Sequence, residues 1–213
     1  QRCFETNVYG TYRIVNLIKK SKGSKIIFAS SGAVYPSSTK SLTGSFTPQP
    51  DDTYGETKRI GENLIGSYLP GRYKIFRIFN VYGPGDGTPH LIPSIIRQLK
   101  KGPRVKLGNL RTERDYIFVD DVVAVIMKEL AEESQGSIYN VGTGVGSSAE
   151  QIIAIFEKLL GYKIHVTSVQ EMRRIVDKPR LVSNPLPIQR DYGISHFITL
   201  EYGLSLMIRN TKI

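Results

Sequence analysis

"NVYGTYRIVNLIKKSKGSKIIFAS", Asn7 to Ser30, is where the fold is decided. Its first part spaces Val8, Tyr12, Val15 and Ile18 at a helical recurrence, and Gly23 follows as a stop signal. Its last part, "KIIFAS" (Lys25–Ser30), is a short β-rich run of the kind that fits a strand buried on both faces. Helix followed by strand is the repeating half-unit of an α/β protein, and the pattern continues downstream. Tyr54–Leu69 reads as helix, "YKIFRIF" (Tyr73–Phe79) as strand, Leu91–Lys101 as helix and "DYIFV" (Asp115–Val119) as strand. Then come a helix at Val122–Ala131, a strand "SIYNVG" (Ser137–Gly142), a helix at Ala149–Leu160, a strand "KIHVTSV" (Lys163–Val169) and a last helix at Leu200–Ile208. Such alternation predicts an α/β fold with a parallel sheet covered by helices.

The 213 residues are 40% hydrophobic and 23% charged, an ordinary globular composition with enough length for a core, so one domain or two small ones are expected. Glycine and proline are scattered, and no low-complexity tract or short repeat is present. The single cysteine, Cys3, makes no intrachain disulfide, and neither a run of about 18 apolar residues nor a signal-peptide pattern occurs. A reducing cytoplasm and no membrane are expected. No metal is called for. The formal charge of +10 concentrates anions near the surface, so nucleotides, nucleic acid and anionic lipid all qualify as partners. Lys19, Lys20, Lys22 and Lys25, and again Arg97, Lys100, Lys101, Arg104 and Lys106, fall at helix ends and turns, where cations suit the negative pole of the helix. Tyr and Phe lie mostly in strands rather than among these cations, so nucleic acid is not the expected partner.

A dinucleotide-binding sheet normally opens with a strand, a glycine-rich turn and a helix whose N-terminus holds the pyrophosphate. Nothing in the first 25 residues supplies that turn. The nearest match, "GTGVG" (Gly142, Gly144, Gly146), sits late in the chain and leads into a capping box at Ser147-x-x-Glu150, so it reads as a turn. The sheet is therefore expected to be N-terminally incomplete, by roughly 80 to 90 residues at the usual size of a βαβ unit. A fragment of a longer enzyme is the preferred explanation over a short protein.

"DDTYGETKRIGENLIGSY" (Asp51–Tyr68) sets Tyr54 and Lys58 four apart at the opening of a helix, on one face. A phenol titrates near pH 10, and a neighbouring ammonium favours phenolate, so Tyr54 could exchange a proton with a substrate hydroxyl. The pair alone is weak, because surface helices carry it often. Upstream, "IIFASSGAVYP" (Ile26–Pro36) is a strand ending in Ser30 and Ser31 at the carboxyl edge, where open α/β sheets bind ligands. Those serines could equally satisfy a strand end.

Taken together, the chain resembles the extended short-chain dehydrogenase/reductases, specifically the NAD-dependent epimerase/dehydratase family that acts on nucleotide sugars. Five segments carry the resemblance in order: "NVYGT" (Asn7–Thr11), "SSGAVY" (Ser30–Tyr35), "YGETK" (Tyr54–Lys58), "RIFNVYGPG" (Arg77–Gly85) and "RTERDYIFVDDV" (Arg111–Val122), with "YNVGTG" (Tyr139–Gly144) following. The resemblance implies a Rossmann-like parallel sheet with a smaller α/β substrate-binding domain. Residues 1–81 and about 103–122 would form the dinucleotide part, and 82–102 with 123–213 the nucleotide-sugar part. It implies Ser31, Tyr54 and Lys58 as catalytic residues, with Ser31 on the reacting sugar hydroxyl, Tyr54 as acid/base and Lys58 on the nicotinamide ribose. Asn7, Ser30, Tyr54, Lys58, Phe79 and Val81 would lie at the cofactor, Asn7 serving as a helix N-cap in the plainer reading. Asn80, Arg114 and Arg174 would hold the sugar nucleotide's diphosphate, Arg173 competing with Arg174 for the last role.

The implied cofactor is NAD, with NADP still open because the residue that reads the ribose belongs to the absent segment. The implied partners are a nucleotide-diphosphate sugar and a second copy, in a homodimer built on a helical bundle to which Ile60, Leu64 and Tyr68 could contribute. Dehydratases and decarboxylating relatives carry acidic residues directly after the serine, where this chain has Gly32 and Ala33. A 4-epimerase is therefore expected, with a 4-reductase, a dehydratase or a non-catalytic binding module as alternatives. Two departures from the family pattern are Ala33, at a position usually serine or threonine, and Pro36, where Val-Tyr-Gly is common.

Overall fold

The computed structural model describes residues 1–132, 137–172 and 177–211. The first helix begins earlier than its periodicity suggests. Arg2–Phe4 (α1), a π-helical turn at Glu5–Tyr9 and Gly10–Lys20 (α2) run on with helical backbone at both joins. The chain then forms Ile26–Ser31 (β1), Thr53–Tyr68 (α3), Tyr73–Ile78 (β2), Asn80–Tyr82 (β3), Leu91–Leu99 (α4), Arg104–Leu107 (β4), Glu113–Phe118 (β5) and Val119–Ala131 (α5). It continues through Ile138–Val141 (β6), Gly146–Ser147 (β7), Ala149–Leu160 (α6), His165–Ser168 (β8), Arg180–Leu181 (β9), Leu186–Tyr192 (α7) and Leu200–Thr211 (α8). Every helix and strand expected from sequence is present within a few residues. The short elements β3, β4, β7, β9 and α7 were not expected, because two to seven residues do not complete a readable period.

Three small sheets share the strands. β1, β2 and β6 are parallel, in the order β1-β2-β6, with Ser31 opposite Ile78 and Ile78 opposite Val141. β5 is the hub of the second, taking β3 and β9 in parallel and β7 antiparallel. β4 and β8 form a parallel pair. β6, from the part expected to bind the sugar nucleotide, thus bonds to the first sheet, whereas β4, from the expected dinucleotide part, pairs with β8.

The helices lie where their apolar stripes dictate. Phe76, Tyr139 and Val141 on one face of the first sheet pack with Val125 of α5 and Ile188 and Tyr192 of α7. On the other face, Val15 of α2 meets Ile65 of α3 and Leu69 beyond it. The largest cluster joins Ile92, Ile95 and Ile96 of α4 to Ile152 and Phe156 of α6 and Leu204 of α8, with Val105 and Leu107 of β4. α6 is capped one residue later than expected: Ser148 accepts from the Gln151 amide at 3.2 Å and the Gln151 side chain accepts from Ser148. The "GTGVG" segment is a turn, as expected. It is built on the buried carboxylate of Asp115, which accepts from Thr143 N and Oγ1, Gly144 N, and Ser183 N and Oγ.

Candidate active site

β1 ends at its carboxyl edge in two serines whose side chains alternate, as strand geometry requires. Ser31 caps a 3₁₀ turn at Gly32–Val34, its Oγ accepting from Ala33 N at 3.1 Å. α3 starts beside this turn because Asp52 caps it, accepting from Gly55 N at 2.6 Å. The two segments touch at Gly55, where a Cβ would run into the Ala33 carbonyl oxygen. Gly61 plays a similar part further along, where a Cβ would meet the Phe28 ring at 2.7 Å. Gly55→Ala must push the turn away from the helix; a loss of about 1–3 kcal/mol is expected for such overpacking, read as a lower midpoint in urea. An unchanged midpoint would show that the contact is slack.

The close approach brings Ser31 and Tyr54 together: the Ser31 hydroxyl is near enough to favour ionisation of the Tyr54 phenol, while the Tyr54 ring stays partly exposed. One turn on, Lys58 Nζ donates to the Ala29 carbonyl at 3.0 Å and lies 5.8 Å from the centre of the Tyr54 ring. Asn7 approaches from the other side, its Nδ2 donating at 3.1 Å to Thr57 Oγ1, which in turn donates to the Tyr54 carbonyl. Asn7 lies within the π-helical turn, so the N-cap reading is replaced by a stitch onto the helix of Tyr54.

The electrostatics correct one expectation. The Tyr54 phenol is pushed up from its ordinary value, chiefly by burial and further by Cys3 and Asp52, with the Ser31 hydroxyl pulling the other way. Lys58 is itself pushed down by burial, and its ammonium is engaged by a backbone carbonyl rather than by the phenol oxygen. Burial, and not the Lys58 ammonium, therefore leads the shift of Tyr54 in the ligand-free chain. Subtracting the ultraviolet titration of a ligand-free Tyr54→Phe variant from that of the parent should leave a phenol ionising above the usual value of about 10. One ionising below it would reinstate the ammonium-lowered reading.

The other expected site residues scatter. Ser30 faces the interior, 4% exposed, and donates to Glu62 Oε1. Phe79 is buried in a cluster with Val34, Tyr35 and Leu42, its ring 3.2 Å from where a Gly32 Cβ would lie. Of the six residues expected at the cofactor, Ser30 is thus engaged by Glu62 and Phe79 by the core. Val81 packs at the edge of the Phe76 cluster. Asn80 is half-buried, and its amide nitrogen, cut off from solvent, has no hydrogen-bond partner among the described residues. Arg114 donates to Asp177 Oδ1 and to the Lys178 carbonyl, both at 2.6 Å, so its fork is held by protein. Arg173 and Arg174 lie outside the described residues.

Beneath the pair lies a network that the sequence reading missed. Arg77 NH2 is 2.7 Å from Glu62 Oε2, with both side chains almost wholly buried. Arg77 NH1 donates to the Tyr35 hydroxyl at 2.7 Å, and that hydroxyl reaches Asn140 Oδ1 at 2.8 Å. Glu62 thus joins the helix of Tyr54 to the strand of Ser31 through Ser30. The signal was available: an arginine in the middle of "YKIFRIF" and a glutamate one turn after Lys58.

The arrangement of a serine hydroxyl, a tyrosine hydroxyl and a lysine at the carboxyl edge of a parallel sheet suits proton exchange with an alcohol. The sequence model of the NAD dependent epimerase/dehydratase family matches residues 1–142 of the 213. The chain belongs to that family. Within this epimerase/dehydratase family, it is 27% identical over 210 residues to the GDP-6-deoxy-D-talose 4-dehydrogenase of Aggregatibacter actinomycetemcomitans, covering 96% of this chain and 71% of that one. It is 30% identical over 185 residues to the dTDP-D-glucose 4,6-dehydratase of Homo sapiens, covering 83% of this chain and 52% of that one. Among solved structures, a complex of the Thermus thermophilus UDP-glucose 4-epimerase with NAD matches with a TM-score of 0.86 and 26% identity, over 98% of this chain and 70% of that one. The chain therefore spans from about half to seven tenths of the length of these relatives. Epimerases and dehydratases of nucleotide sugars both stand among its relatives, so membership alone does not choose the reaction.

Proposed function

We propose that this chain carries the catalytic pair of an NAD-dependent nucleotide-sugar 4-epimerase. The observation that carries the reading is Tyr54 set beside Ser31 where the helix meets the serine turn, at a strand edge that offers no free carboxylate among the described residues. Gly32 and Ala33 follow the serine, Asp52 is committed to the helix cap, and Asp51 pairs with Lys178 at 3.0 Å. Expelling water from a keto sugar requires a second acid and base, which these residues do not provide.

The residues present fit a dinucleotide's nicotinamide end: Lys58 and Tyr54 would hold the ribose, and NAD when bound supplies a hydride acceptor and a positive charge near the phenol. Ser31 orients the sugar hydroxyl. Tyr54 takes its proton as the carbon is oxidised and returns it when the keto sugar, presented by its opposite face, is reduced. The Asn80 amide, unpartnered among the described residues, suits an acceptor-rich diphosphate.

We further propose that the sheet β1-β2-β6 belongs to the dinucleotide half and the β4-β8 pair with α4, α6 and α8 to the sugar-nucleotide half. A homodimer through α2 and α3 is supported by exposed Tyr12, Leu17 and Tyr68 on those helices. Among the described residues no helix is long and apolar enough to cross a membrane. A cytoplasmic setting is part of the proposal, on the strength of the single cysteine.

The test is to incubate the full-length protein and NAD with UDP-, dTDP- and GDP-hexoses and read the products by mass and proton NMR. Epimerisation gives inversion at C4 with unchanged mass. A product lighter by one water means a dehydratase, and no conversion of any sugar leaves a binding module.

A further inference from the structure

Lys178 is a buried ammonium that the proposed chemistry does not use, only 8% exposed. Its Nζ donates to the Ala33 carbonyl at 3.1 Å and to the Tyr35 carbonyl, and pairs with Asp51 Oδ1 at 3.0 Å. An ammonium has three donors, and all three are matched. Two acceptors belong to the turn that follows Ser31, and the third precedes the cap of the helix that bears Tyr54. The Ala33 carbonyl is also the oxygen against which Gly55 packs, so it is held between Lys178 on one side and the first turn of α3 on the other.

The same segment reaches the other half of the site. Asp177 accepts from Arg114, and the Lys178 carbonyl accepts from Arg114 as well. One dipeptide therefore ties together β5, the serine turn and the start of α3.

We propose that Lys178 is a positioning residue that sets the Ser31 hydroxyl against the Tyr54 hydroxyl by clamping the turn between them. This rests on the reading of Tyr54 as the acid/base. Lysine suits the position because its long stem crosses from β9's approach to the turn, while its compact head serves three acceptors in different directions. Its donors are taken by protein acceptors, so its effect falls on the geometry of the reacting groups. Misplacing such groups by about 1 Å can cost on the order of 10²-fold in rate.

Lys178→Met keeps the stem and removes the donors. In the full-length enzyme with NAD and its sugar nucleotide, kcat should fall by roughly 10- to 100-fold with little change in KM. Hydrogen exchange should quicken at the amides of Ala33 and Tyr35, which are bonded to Ser31 Oγ and the Gly32 carbonyl. Lys178→Arg, which keeps donors at the site, should recover most of the rate. An unchanged kcat, or a loss that Lys178→Arg does not repair, overturns the proposal. If Lys178→Met does not fold, Asp51→Asn decides: a lower kcat at constant KM supports the clamp, and an unchanged kcat rejects it. The exchange measurement needs no substrate. Absence of turnover in the parent enzyme would therefore count against the catalytic reading, while exchange would still judge the clamp.

Discussion

Tyr54→Phe is expected to lower kcat by about 10²- to 10⁴-fold, the usual contribution of a positioned acid/base, while sugar-nucleotide affinity measured by calorimetry barely moves. The argument is local. Phenylalanine keeps the ring, which is partly exposed, and removes only the hydroxyl that meets Ser31. Nothing else in the described structure depends on that oxygen, so folding should be unaffected and the loss should appear in the chemical step. Turnover retained in Tyr54→Phe would remove Tyr54 from the reaction and with it the proposed function.

The largest effect on stability is expected at Glu62. Replacing it with alanine leaves the Arg77 guanidinium, 3% exposed, without its counter-charge, and takes a partner from Ser30 as well. Breaking a buried pair on one side typically costs about 3–5 kcal/mol, a large share of a domain's total. Urea unfolding should show it as a strongly reduced midpoint. Replacing both members, as in Glu62→Met with Arg77→Met, should restore much of the loss, because no charge is then left buried alone. A single variant as stable as the parent would mean that solvent reaches Arg77 and that the network is incidental.

The fold was legible because its elements are long and periodic. "KIIFAS" and "YKIFRIF" could hardly be anything but strands in this setting, and the α6 boundaries match the sequence expectation residue for residue. That Ser31, Tyr54 and Lys58 lie in one neighbourhood was legible because a strand edge and the first turns of one helix position them. What was not legible depends on contacts remote in sequence. The Ser30 hydroxyl belongs to Glu62, 32 residues away, and Lys178 reaches Tyr35 across 143 residues. No periodicity announces such partners. The direction in which the ligand-free Tyr54 phenol is shifted was not legible for a related reason: spacing on a helix shows which charges are near, whereas burial comes from the whole surroundings.

The π-helical turn at Glu5–Tyr9 has an effect beyond its five residues. Bonds closing at i+5 insert one extra residue into the winding, and each residue of an α-helix turns the chain by about 100°. Whatever precedes Asn7 is thereby rotated relative to α2, which sets the side that α1 turns toward α3. The direction from which the polypeptide enters this corner is thus governed by a phase offset of a single position, as the cut of one tooth decides how a gear meshes.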